Sequence, residues 1–123
     1  MNTAVWIVQI LLALAFLAAG SMKVSQPYDK IKERMAWVNS VSVPILRGIG
    51  TVEVLGAIGL VLPALTGILP WLTPIAAVGL LLTMIGAAAL HIRRGEYSQI
   101  TINLVLLAMA AFVAYGRFVA VPL

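Results

Sequence analysis

The chain has no cysteine, which excludes disulfides, thiol redox chemistry and thiolate metal sites within it, whichever compartment it faces. It is also short of charge. Only 10% of its 123 residues are Asp, Glu, Lys or Arg, with four acidic side chains and one histidine. So small a ligand set does not make a self-contained metal centre, and no metal is expected. A soluble domain of this length needs a charged surface that this sequence does not supply. Apolar residues take the place of charge, at 63% of the chain and a mean hydropathy of +1.09. A spanning helix takes about 20 apolar residues, so four fit with little left for a separate soluble domain.

The net charge of +4 is not a nucleic-acid signal, because the basic residues sit in short segments between apolar runs. Residues so placed fix orientation and touch anionic headgroups. The whole chain, 1–123, reads as one transmembrane domain with spans at about 3–22, 45–62, 73–92 and 98–118. The first run carries no Lys or Arg before its apolar stretch and is longer than a usual signal-peptide core, so it reads as a retained span. Ser25-Gln26-Pro27 breaks it, because proline lacks the amide donor and restricts its predecessor. Ile31, Met35, Val38 and Val41 then recur near helical spacing, with Lys30, Lys32, Glu33 and Arg34 alongside. That pattern predicts a short amphipathic helix at the membrane surface, with Trp37 at headgroup level.

The second span is expected to stop just before Pro63, and Trp71 to act as an interfacial anchor. Pro74 suits the start of the third span. Gly79, Thr83 and Ala87 form a small-residue ladder that reads as a helix-packing face. Counting basic residues gives seven beside the first and third connections against Arg117 alone on the other side. Both termini are therefore expected outside the cytoplasm.

One residue stands out against this apolar background. Glu53 lies inside the second span, where a charge costs about 2.5–3.5 kcal/mol on insertion scales. It needs a partner, a proton or water. Gly50, Gly56 and Ala57 share its face, which points it into the bundle. Lys23 closes the first span, His91 lies within a turn of the end of the third, and Asn103 lies about 7 Å into the fourth by helical rise. Each span thus offers one polar group in the same half of the membrane. Lys23, Glu53, His91 and Asn103 form the candidate ligand-binding site. Each also has a plainer use: Lys23 as a snorkelling anchor, His91 as a cap, Asn103 as an interhelical hydrogen-bonding group and Glu53 in a structural ion pair or as a protonated packing residue. Gln9 and Thr83 read as structural, and Arg47 as a membrane anchor. No nucleophile elbow, phosphate-binding loop, haem-ligand pair or metal-ligand set is present. No catalytic residue is assigned, and catalysis by the chain alone is not expected.

Five features stand in order along the chain: Gly20-Ser21-Met22-Lys23, Glu53-Val54-Leu55-Gly56-Ala57-Ile58-Gly59-Leu60, Pro63 with Leu72-Thr73-Pro74, Ala88-Ala89-Leu90-His91, and Asn103. Together they resemble the DoxX-like family of small four-span membrane proteins. The resemblance implies an all-α integral membrane four-helix bundle, usually bacterial, with these polar positions as its shared site. Its broader relatives imply links to quinone-coupled sulfur oxidation, to thiol-redox partners and, more distantly, to membrane chaperoning. Without cysteine, any thiol chemistry would belong to a partner. The leading expectation is a bacterial inner-membrane protein that binds a quinone or lipid within the bundle for a redox partner. An assembly or chaperone subunit recognising a partner's transmembrane helix is the alternative, and a proton-coupled carrier ranks last. Membrane lipid, a membrane protein and a second copy of the chain are the partners considered.

Overall fold

The structure, a computed structural model, describes residues 1–35, 38 and 41–123, with Arg34 described by its backbone alone. Helix α1 spans Asn2–Ser25, α2 Tyr28–Arg34, α3 Val43–Thr66, α4 Leu72–Arg94 and α5 Tyr97–Tyr115. The last continues as one π-helical turn, Gly116–Ala120. Helices α1, α3 and α4, and α5 with its π turn, are each long and apolar enough to cross a membrane. No strand occurs among the described residues.

The four long helices form a ring in the order α1, α3, α4, α5. The pairs α1–α3 and α4–α5 pack most extensively, and the α1–α5 seam is the thinnest. Leu12, Phe16, Leu60, Leu80, Ala110 and Val113 meet in the shared core. Large apolar side chains such as Leu14, Leu55, Leu82 and Val105 point outward, as a lipid-facing surface requires. Lipid tails are as apolar as leucine, so close packing and interhelical hydrogen bonds must hold the helices together.

Helix α3 runs through Pro63 to Thr66, past the expected stop at residue 62. A proline inside a helix leaves the carbonyl four residues earlier without its donor. Here that carbonyl belongs to Gly59, and the buried Thr73 hydroxyl of α4 donates to it at 3.1 Å. The Gln9 amide of α1 donates to the neighbouring Leu60 carbonyl. Two other helices therefore satisfy the backbone around the proline, and the helix continues. Gly67, at φ 71°, ends it in the left-handed region.

Helix α2 is shorter than the predicted amphipathic stretch, because Met35 is already extended. Ile31 and Val38 nevertheless bury against Leu46 of α3, and the Tyr28 hydroxyl donates to the carbonyls of Val38 and Val41. Trp37, expected at headgroup level, lies outside the described residues. The bundle thus has a charged end, bearing α2 and both Arg93 and Arg94, and a terminal end carrying Met1 and Leu123.

Candidate functional site

The site is set by a close helix crossing. A Cβ placed on Gly20 of α1 would lie 2.7 Å from the Gly50 carbonyl oxygen, and one on Gly50 would lie 2.8 Å from the Gly20 oxygen. Only two glycines allow α1 and α3 to meet this closely. One turn further along each helix stand Lys23 and Glu53, three residues from their glycines. Lys23 Nζ donates to Glu53 Oε1 at 2.6 Å, with the two side chains 9% and 2% exposed. A charge-assisted bond of this length is among the stronger polar contacts that can join two helices. Arg47 fixes the same junction by donating through Nη1 to the carbonyls of Lys23 at 2.7 Å and Gln26 at 2.6 Å. Lys23 lies in the last turn of α1 and Gln26 is its C-cap, where helical carbonyls have no partner of their own. Arg47, read from the sequence as a membrane anchor, thus caps α1 from α3.

On the other side of the ring, His91 is buried near the end of α4. Gly95, at φ 71°, lets the chain turn back so that the Glu96 amide donates to the His91 carbonyl at 2.9 Å. The same turn brings the carboxylate home. His91 Nδ1 lies 3.1 Å from Glu96 Oε1, which also accepts from Arg94 Nε at 2.9 Å. Partial burial pushes the Glu96 carboxyl up, but hydrogen bonds and positive charge from His91 and Arg94 outweigh it and hold it below the usual range.

All four residues singled out in the sequence line one cavity of about 400 Å³ inside the charged end of the bundle. Lys23 comes from α1, Glu53 from α3, His91 from α4 and Asn103 from α5, with Glu96 and Gln99 at its rim. Asn103 is buried, and its Nδ2 has no hydrogen-bond partner among the described residues. A second cavity of about 420 Å³ is a groove between α3 and α4 with almost wholly apolar walls. Lys23, Glu53, Met84, Ala87 and His91 line both cavities. The ion pair and the histidine thus stand between an apolar lateral groove and a more polar chamber. Of the small-residue ladder, Thr83 and Ala87 line the groove and Ala87 also packs against the core, while Gly79 faces open space outside it.

Sequence reasoning missed a second buried polar group, at the terminal end. Arg117 is 3% exposed, although it lies in the last turn of the chain's helices. It donates to Gln9 Oε1 at 3.0 Å, Asn2 Oδ1 at 2.8 Å and the Val121 carbonyl at 3.0 Å, and lies over the Trp6 ring. Helical spacing gives no sign of contacts across more than one hundred residues. The only signal was Gln9 on the inward face of an otherwise apolar span.

Four spanning helices around a shared polar chamber define a small multi-pass membrane protein. The chain belongs to the DoxX-like family, whose model matches residues 7–113. No curated protein and no solved structure matches it.

Proposed function

We propose that this protein binds an amphipathic small molecule, a quinone or a lipid, within the bundle of a bacterial inner membrane. Both termini lie outside the cytoplasm in this reading. The polar end of the ligand rests among Lys23, Glu53, His91 and Asn103, and its apolar part leaves through the groove between α3 and α4 toward the bilayer. The protein then holds the ligand for a redox partner. One observation carries the reading: a chamber holding a polar side chain from each long helix and an apolar lateral groove share the wall formed by Lys23, Glu53 and His91. Such a pairing matches a ligand with one polar and one apolar end. Among the described residues the site has hydrogen-bonding and ion-pairing groups but no nucleophile held beside a base, so the reading is binding without chemistry. Native mass spectrometry of protein extracted in mild detergent tests it. A retained small molecule, weakened at least several-fold in Glu53→Gln, is the expected result. No retained ligand, with unchanged quinone and lipid binding in Glu53→Gln, overturns it.

A second reading is an assembly subunit that receives a partner's transmembrane helix. Its support is the exposed side of α4, where Gly79 and Gly86 have open space beyond their Cα atoms. Photocrosslinking from position 86 in the native membrane separates the two: a recurrent protein adduct favours the helix partner, and lipid adducts alone favour the ligand.

A further inference from the structure

The chamber has few unused hydrogen-bonding groups, and that limits what can enter it. Lys23 is committed to Glu53 at 2.6 Å, and His91 lies beside Glu96 at 3.1 Å, with Arg94 bonded to the same carboxylate oxygen. Asn103 differs. It is 8% exposed, stands in the chamber wall, and its Nδ2 is buried with no partner among the described residues. An amide donor left in that state costs about 1–3 kcal/mol; a turn of the Asn103 amide about Cβ–Cγ brings Nδ2 from the wall to the chamber, where a ligand oxygen accepting its hydrogen bond recovers that cost.

An anionic headgroup meets a different environment. Among the residues lining the chamber, Glu53 and Glu96 are acidic and Lys23 and His91 basic, and each carboxylate already has a basic partner. A phosphate accepting from the remaining N–H groups of Lys23 would stand as a third anion beside Glu53 and Glu96, with one ammonium shared between it and Glu53. Like charges held together away from water are costly. An uncharged headgroup with a carbonyl or hydroxyl oxygen can satisfy Asn103 and leave both ion pairs standing.

Resting on the amphiphile reading above, we propose that the chamber selects lipids with an uncharged, oxygen-bearing headgroup, and that Asn103 is the recognition donor. Phospholipids, the bulk of a bilayer, would be admitted as tails in the groove but refused as headgroups in the chamber. The groove is thereby protected from being filled by its own solvent.

The test uses two probes with the same single chain: monoolein, which is uncharged, and oleoyl lysophosphatidylglycerol, which is anionic. Each is titrated against the full chain in detergent and followed by native mass spectrometry. Wild type should prefer monoolein by about tenfold or more. Asn103→Leu should lower that preference to within about threefold, and Asn103→Gln should keep most of it. Equal retention of the two, preference for the anionic lipid, or an unchanged preference in Asn103→Leu overturns the inference while leaving the amphiphile reading intact. Retention of neither probe by wild type overturns the amphiphile reading, and the inference with it. Thermal unfolding of each variant in detergent identifies any that has lost its fold; if Asn103→Leu has, Asn103→Ala, which also lacks the donor, takes its place against Asn103→Gln with the same expected outcome.

Discussion

At the charged end Lys23 meets a carboxylate at 2.6 Å, whereas at the terminal end Arg117 is at least as buried and meets no carboxylate among the described residues. Its partners are neutral: two side-chain amide oxygens, one carbonyl and an aromatic face. Its Nη2 has no partner there at all. Both ends bury a cation between α1 and another helix, yet the two arrangements respond differently to change. A salt bridge makes each ion a condition for burying the other. A neutral network spreads the charge over weak acceptors, each of which survives its loss. The chamber and groove lie at the first kind of end, where removing one group alters the charge of the whole site.

The sharpest way to break this contrast is to remove one member of the ion pair. Lys23→Met strands Glu53 and should cost about 3–5 kcal/mol, read from unfolding in detergent. The double variant Lys23→Met with Glu53→Leu should recover most of that loss, because no charge remains unpaired. If the double variant is as unstable as the single, the pair is not the stabilising unit. Next in size is the crossing that aligns the pair. Gly20→Ala places a methyl against the Gly50 carbonyl and should cost about 1–3 kcal/mol. Gly79→Ala, which meets nothing, should stay within about 0.5 kcal/mol.

Arg117→Met should cost about 1–2 kcal/mol, less than Lys23→Met, since it leaves only neutral acceptors unpaired. A loss equal to that of Lys23→Met would mean that the two ends do not differ in kind. The smallest effect is a pH dependence. The folded state holds the Glu96 carboxyl below its ordinary value of 4.5. Its contribution is therefore present above that value and is lost as pH falls through the depressed one. Unfolding measured on acidification should show this loss in wild type and a flatter profile in Glu96→Gln.

The charged end was far more legible in the sequence than the terminal end, and the reason is contrast. A carboxylate in an apolar helix is conspicuous because its cost demands an explanation, and topology then supplied Lys23, His91 and Asn103 in the same half of the membrane. Arg117 lies near the end of its span, where an arginine is ordinary, so its burial beside Gln9 left no local trace. The roles of Arg47 and Thr73 were hidden for another reason. Each answers a backbone carbonyl on a different helix, and a carbonyl is invisible in a sequence unless a proline or a helix end exposes it. Pro63 did expose one, but a proline signals a break more often than a helix that another span repairs. The ladder from Gly79 to Ala87 was visible, yet small residues fit a gap as well as a contact.

The crossing of Gly20 and Gly50 has a mechanical consequence. Spanning helices tilt as bilayer thickness changes, and two helices in close contact tilt about the point where they touch. Lys23 stands three residues from that pivot, about 4.5 Å along the axis, so a 10° change of tilt moves it by only about 1 Å. Gln9 stands eleven residues away on the other side, about 16 Å, and the same change moves it by about 3 Å. Thickness fluctuations should therefore be felt at the terminal end, where neutral hydrogen bonds can stretch and re-form. The ion pair sits beside the fulcrum and stays registered while the membrane around it breathes.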